Sequence, residues 1–164
     1  MMTTRITAGA FLSCGDKVLL MKRGLHKELG AGMWAGIGGH LEMSDFTNPR
    51  AVETLEACYR EVEEETGILR TDIYDLKLRY IAVRKVDSEV RLHYHYFGKL
   101  EQEILPPHCD EGEFFWVDKS GLLDLPMSTS IKETVRHWVC NPDCGEIYLV
   151  AVDKTASSAV ISGI

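Results

Sequence analysis

Hydrophobic residues recur along this chain with two spacings. Leu92, Tyr94 and Tyr96 alternate with Arg91, His93 and His95, the period of a strand, whereas Ala51, Leu55, Cys58, Tyr59 and Val62 fall on one arc at helical spacing. From these and similar runs a coarse order of elements follows. The β-rich runs Ile6–Leu12 and Val18–Lys22 flank Cys14-Gly15-Asp16-Lys17, where Gly-Asp supplies turn chemistry, and predict an opening hairpin. After a glycine-rich stretch, Gly30 to Gly39, the spacing predicts a helix over about 49–66. Asn48 is its N-cap, Pro49 takes the first helical position and Gly67 forms a left-handed C-terminal cap. Ile73–Val86 and Glu89–Leu100 predict a long hairpin through Asp87-Ser88 with two different faces. Glu113–Asp118 reads as a short strand, and Ser130–Cys140 as a helix entered through Ser128-Thr129-Ser130. Glu146–Val152 with Ala159–Ile164 read as a closing hairpin.

Composition narrows the picture. A chain of 164 residues, 45% hydrophobic, falls in the size range of one compact domain, so a single active site is expected. A formal net charge of -7 and a pI near 5.4 argue against a surface built to bind long nucleic acid, but permit phosphate chemistry through a metal ion. Cys14, Cys58, Cys109, Cys140 and Cys144 are odd in number and scattered, which suggests reduced thiols and a cytoplasmic setting. Met1 to Ser13 lacks the apolar centre and cleavage site of a signal peptide. No apolar run approaches the roughly 20 residues needed to span a membrane.

The chemistry concentrates on the first predicted helix. Glu61, Glu64 and Glu65, at i, i+3 and i+4, lie within one turn beside the apolar arc, where like charges repel and invite a cation. Carboxylate oxygens suit Mg²⁺ or Mn²⁺, and Thr54 and Ala57 are expected to leave room for water and phosphate. Taken alone, an acidic run of this kind is more often a solvated surface. The preceding Gly36-Ile37-Gly38-Gly39-His40-Leu41-Glu42 shifts the balance, because glycine lets backbone approach a ligand and present N–H groups to phosphate.

With these residues in view, the sequence resembles the Nudix hydrolase family, whose signature runs from a glycine through a glutamate to Arg-Glu-apolar-x-Glu-Glu-x-Gly-apolar. Arg60 to Ile68 matches the second half at every fixed position. Trp34, the Gly38-Gly39 pair, Glu113-Phe114-Phe115-Trp116-Val117 and Leu125-Pro126-Met127 extend the resemblance over about Thr7 to Val139. Two departures stand out. Asp45 occupies the position six after Gly39, with fourteen residues rather than seven before Arg60, and Ile37 replaces a common proline. Seven extra residues are close to two helical turns and preserve the carboxylate face. They leave the partner of Arg60 open between Asp45 and Glu56.

The resemblance implies an α/β (α+β) fold, a Nudix-type α/β/α sandwich with a mixed β-sheet. It would form one domain over 1–164, with a core of about 5–140 and a C-terminal hairpin extension of about 141–164. It also implies Mg²⁺-dependent attack of water on a diphosphate linkage in a nucleoside diphosphate joined to another group. Glu61, Glu64 and Glu65 would bind metal, with Glu61 or Glu64 also serving as base or orienting the water. Arg60 would form a scaffold ion pair, and Gly38, Gly39 and Trp34 would contact substrate. Asp110, Glu111 and Glu113 are candidates for a further ligand or base, balanced against an ordinary acidic loop. His93 and His95 can contact a base or phosphate, though such pairs are more often simply hydrogen-bonded or exposed. Trp34 stacks on a nucleobase or packs in the core. His137, Cys140 and Cys144 lack a fourth ligand and a recognisable zinc spacing. The hairpin beyond Asn141 either extends the sheet or joins a homodimer. A non-hydrolytic Nudix-like binding module is the rival reading; an isoprenoid diphosphate isomerase is a third, weakened by the lack of a catalytic cysteine motif.

Overall fold

Strands β1 (Thr3–Cys14) and β2 (Lys17–Arg23) form the expected opening hairpin, turning through Gly15 at φ +54. In this computed structural model, residues 1–28, 30–46, 53–142, 144–152 and 159–164 are described. The glycine-rich stretch contains two short strands that its apolar pattern does not announce, β3 (Trp34–Ala35) and β4 (Ile37–His40). Helix α1 (Thr54–Thr66) follows, and Gly67 closes it at φ +72, its N–H donating to the Glu63 carbonyl at 2.8 Å. The expected entry at Asn48-Pro49, and Ala51 of the predicted arc, lie outside the described residues.

β5 (Ile73–Val86) and β6 (Glu89–Leu100) form the long hairpin, with Asp87 at φ +54 in its turn. β7 (Gly112–Asp118) pairs with β2, and α2 (Thr129–Cys140) leads to the closing hairpin β8 (Tyr148–Val152) and β9 (Ala159–Gly163). The strands form one mixed sheet in the order β3-β2-β1-β6-β5-β8-β9, with β4 also on β1 and β7 also on β2. Its parallel pairs are β1 with β6 and β5 with β8. The last hairpin therefore extends the sheet, reached by a crossover through α2.

Both sheet faces are packed. On one, Ala57, Cys58 and Val62 of α1 meet Ala8, Ala10, Leu12, Ile37 and Tyr96. On the other, Val135 and Trp138 of α2 meet Phe11, Tyr80, Phe97 and Val150, with Trp138 and Phe97 ring centres 4.7 Å apart. Burying a side chain of this size contributes about 1.5–3 kcal/mol. The hairpin's histidine face is consequently a second core face. His95 is buried against Phe11, and His93 meets the Thr7 hydroxyl at 2.5 Å.

The Thr54 hydroxyl is bonded to Tyr96 at 2.7 Å and Ala57 is fully buried. Neither leaves the space expected of it, because both lie on the side of α1 turned to the sheet. His137 meets the Tyr80 hydroxyl and Cys144 the Tyr148 hydroxyl, so both serve the junction of α2 with the last hairpin.

Candidate active site

The carboxylates of α1 stand against the backbone of β4, and glycine makes this approach feasible. A Cβ on Gly39 would lie 2.4–2.5 Å from the Glu61 carboxyl group. The Gly38 N–H donates to Glu65 Oε2 at 3.1 Å, so the donor expected to face phosphate is engaged by a helix carboxylate. Burial pushes Glu65 up to about 8, aided by the charges of Glu61 and Glu111 and opposed by the Gly38 N–H. Burial likewise raises Glu61, against the pull of Arg60.

Arg60 resolves the choice between Asp45 and Glu56. Its Nε donates to Asp45 Oδ1 at 2.8 Å and its Nη2 to Asp45 Oδ2 at 3.0 Å, a planar fork on a carboxylate only 3% exposed. A short helical turn, Met43–Asp45, holds the acceptor in place, with the Glu42 N–H donating to Asp45 Oδ2 at 2.7 Å. The guanidinium holds the Asp45 carboxyl below its ordinary range. Arg60 Nη1 also donates to Glu61 and Glu64, each at 3.0 Å, and Nη2 donates to the His40 carbonyl at 2.9 Å. Glu56 instead pairs with Arg70 at 2.9 Å.

Glu111 is brought to this end of the sheet. It pairs with Lys27 Nζ at 2.5 Å, and its charge is felt at Glu65. Nothing in the sequence marks Lys27 as its partner. Glu113 is exposed on β7 opposite Lys22, and Asp110 offers its carbonyl to the His26 ring at 3.0 Å. Trp34 is half-buried on the α2 side, its ring 5.2 Å from that of Phe115.

Among the described residues no three His, Cys, Asp or Glu side chains are gathered as a ready metal-binding group. Arg60 bridges Glu61 and Glu64, while Gly38 engages Glu65. The donor chemistry nevertheless fits a hard divalent cation. Three carboxylates share one helix turn, and burial of Glu65 makes its anionic form costly without a cation close by.

The family model of the NUDIX domain matches residues 3–139. The chain belongs to the Nudix family. Compared by sequence with curated proteins, it has no significant match. Among solved structures, this Nudix hydrolase is similar to a MutT protein from Bacillus halodurans, with a TM-score of 0.70 at 21% identity, over 96% of this chain and 97% of that one. It is also similar to a NUDIX hydrolase from Alicyclobacillus acidocaldarius, with a TM-score of 0.72 at 15% identity over 87% and 94% of the two chains. The dihydroneopterin triphosphate pyrophosphohydrolase of E. coli gives 0.63 at 17% identity over 86% and 99%. The α/β/α sandwich with a mixed, open sheet is thus the Nudix fold, and the family is one of hydrolases that generally use a divalent metal ion. No described helix is long and apolar enough to cross a membrane.

Proposed function

We propose that this Nudix hydrolase cleaves the diphosphate linkage of a small nucleoside diphosphate derivative, using Mg²⁺, for which Mn²⁺ substitutes. The observation that carries this reading is the pair of half-buried carboxylates, Glu61 and Glu65, pressed against Gly38-Gly39 beside an Arg60 already braced by Asp45. Glu61, Glu64 and Glu65 would hold the cation, with Glu111 as a further ligand or base. When bound, the cation neutralises charge developing on the diphosphate oxygens and acidifies water. Glu61 or Glu64 takes the proton of the attacking water, or orients it, within hydrogen-bond reach. Arg60 fixes the direction of both side chains, so most of the catalysis is positioning plus electrostatics. The overall negative charge favours a free nucleotide derivative over long nucleic acid. Five free thiols suit a reducing, cytoplasmic setting. The whole chain acts as one Nudix domain with its last hairpin integral to the sheet.

The test is product release, followed by chromatography with Mg²⁺ and with EDTA, across nucleoside triphosphates, oxidised nucleotides, dinucleoside polyphosphates and nucleoside diphosphate sugars. Cleavage of at least one class with Mg²⁺ and none with EDTA is expected. Binding without turnover of any compound would replace the hydrolase by a non-hydrolytic binding module.

A further inference from the structure

On the α2 side of the sheet, three arginines stand in a row. Arg84 on β5 is directly opposite Arg91 on β6, and Arg91 is directly opposite Arg5 on β1. Residues in register on adjacent strands share a face, and like charges so placed repel. Glu89, two residues before Arg91 on the same strand face, meets Arg5 at 3.5 Å and also contacts Arg91. Two of the three guanidinium groups thus share the Glu89 carboxylate, in a protein whose overall charge is negative.

A second observation is independent of the row. The Nε of Arg84 is removed from water and has no hydrogen-bond partner among the described residues. A buried donor left unmade is costly, and more so on a charged group. Two residues further along each strand, Ala82, His93, Thr7 and His40 form the next row on this face across β5, β6, β1 and β4. Burial, followed by the charges of Arg91, His40, Arg84 and Arg5, pushes His93 down to about 4, so its ring is neutral there. The end of the face near Phe97 is closed by Trp138 of α2, whereas Arg5 retains 39% side-chain exposure.

The row lies within reach of the carboxylate site. Gly39 and its partner Ala8 face α1, whereas Arg5, three residues from Ala8 and about 10 Å along the same strand, faces α2, so the two sites lie on opposite faces beside the edge formed by β4. His40 lies between them, opposite Thr7. At that edge the charge of Arg23 is felt at both Glu65 and His40, and those of Arg5 and Arg91 at His40, so a small molecule reaching both sites passes over β4.

We propose that Arg5, Arg84 and Arg91 bind a second anionic group of the substrate, a carboxylate or phosphate remote from the cleaved diphosphate. Guanidinium forks match the paired oxygens of either group. An anion there relieves the repulsion along the row and gives Arg84 Nε its missing acceptor. This substrate class rests on the hydrolase reading; the binding itself does not.

The experiment is calorimetric titration of the full chain in EDTA, which suppresses metal-dependent turnover. The probes are two pairs that differ in one remote anion: UDP-glucose against UDP-glucuronic acid, and ADP-ribose against its 2′-phosphate. In at least one pair the anionic member is expected to bind about ten- to hundred-fold more tightly. That ratio should fall towards one in Arg84→Gln or in Arg5→Gln, each checked for native circular dichroism, while Arg84→Lys retains part of it. A ratio near one in both pairs for the native chain, or a ratio retained in both glutamine variants, overturns the proposal. Absence of hydrolysis alongside a preserved and arginine-dependent ratio would sink the hydrolase reading and leave this site standing.

Discussion

Replacing Asp45 with alanine removes both acceptors of the Arg60 fork. The Asp45 side chain is 3% exposed and that of Arg60 19%, so the pair is well shielded from water. Removing one member of a fully buried pair costs about 3–5 kcal/mol. Arg60 keeps Glu61, Glu64 and the His40 carbonyl as partners and is partly solvated, which lowers the expectation to about 2–3 kcal/mol. For a chain of 164 residues this corresponds to a fall in Tm of roughly 5–10 °C. Differential scanning calorimetry of native protein, Asp45→Ala and the control Glu56→Gln provides the assay. Glu56 pairs with Arg70 at the surface, and its loss should cost at most about 1 kcal/mol. The gap between native and Asp45→Ala should narrow in acid, because Arg60 stabilises the ionised Asp45 and that contribution is lost as pH falls through its lowered value. Equal melting temperatures for Asp45→Ala and Glu56→Gln would refute the anchoring role of this pair.

Three further outcomes follow from the same structure. His95, pushed down to about 3 by burial and by His93, stays neutral in the folded chain while its unfolded counterpart gains a proton below about pH 6.5. Stability should then fall by about 2 kcal/mol between pH 7 and pH 5 on this account alone, as urea midpoints would show; a His95→Asn variant with the same pH slope as the native chain would contradict it. Glu64→Gln should lose most turnover in Mg²⁺ while keeping its melting temperature, since it removes a charge but little volume; near-normal kcat would show that its assigned role is wrong. Deleting residues 142–164 takes the fully buried Val150 out of the second core and frees an edge of β5, so a clear loss of stability is expected in denaturant melts. An unchanged melt would show that the hairpin is not integral to the sheet, and an unchanged monomer would exclude its role in a dimer.

Local signals were legible where one short segment carries the whole instruction. Gly15-Asp16, Asp87-Ser88 and Gly67 mark turns and a cap that the structure places where their chemistry requires. Arg60 to Ile68 identified the helix of carboxylates through its resemblance to the Nudix signature, together with the glycine-rich segment before it. What escaped notice depends on register between segments far apart in sequence. Arg5, Arg84 and Arg91 come into line only when β1, β6 and β5 pair. Likewise, Asp45 wins Arg60 over Glu56 because the turn at Met43–Asp45 delivers a buried carboxylate to it. The histidine face looked polar because alternation along β6 shows only its own residues, whereas Phe11 from β1 and Trp138 from α2 supply its cover. Thr54 and Ala57 show the same limit, since helical spacing groups them with the carboxylates without saying which side meets the sheet.

The central claim is that the α1 carboxylates hold a divalent cation, and Mn²⁺ titration followed by electron paramagnetic resonance tests it directly. The native chain is expected to remove Mn²⁺ from the free signal, whereas a folded variant carrying Glu61→Gln, Glu64→Gln and Glu65→Gln together should leave it free. Equal Mn²⁺ uptake by the native chain and the triple variant would contradict the assignment of the metal to these residues.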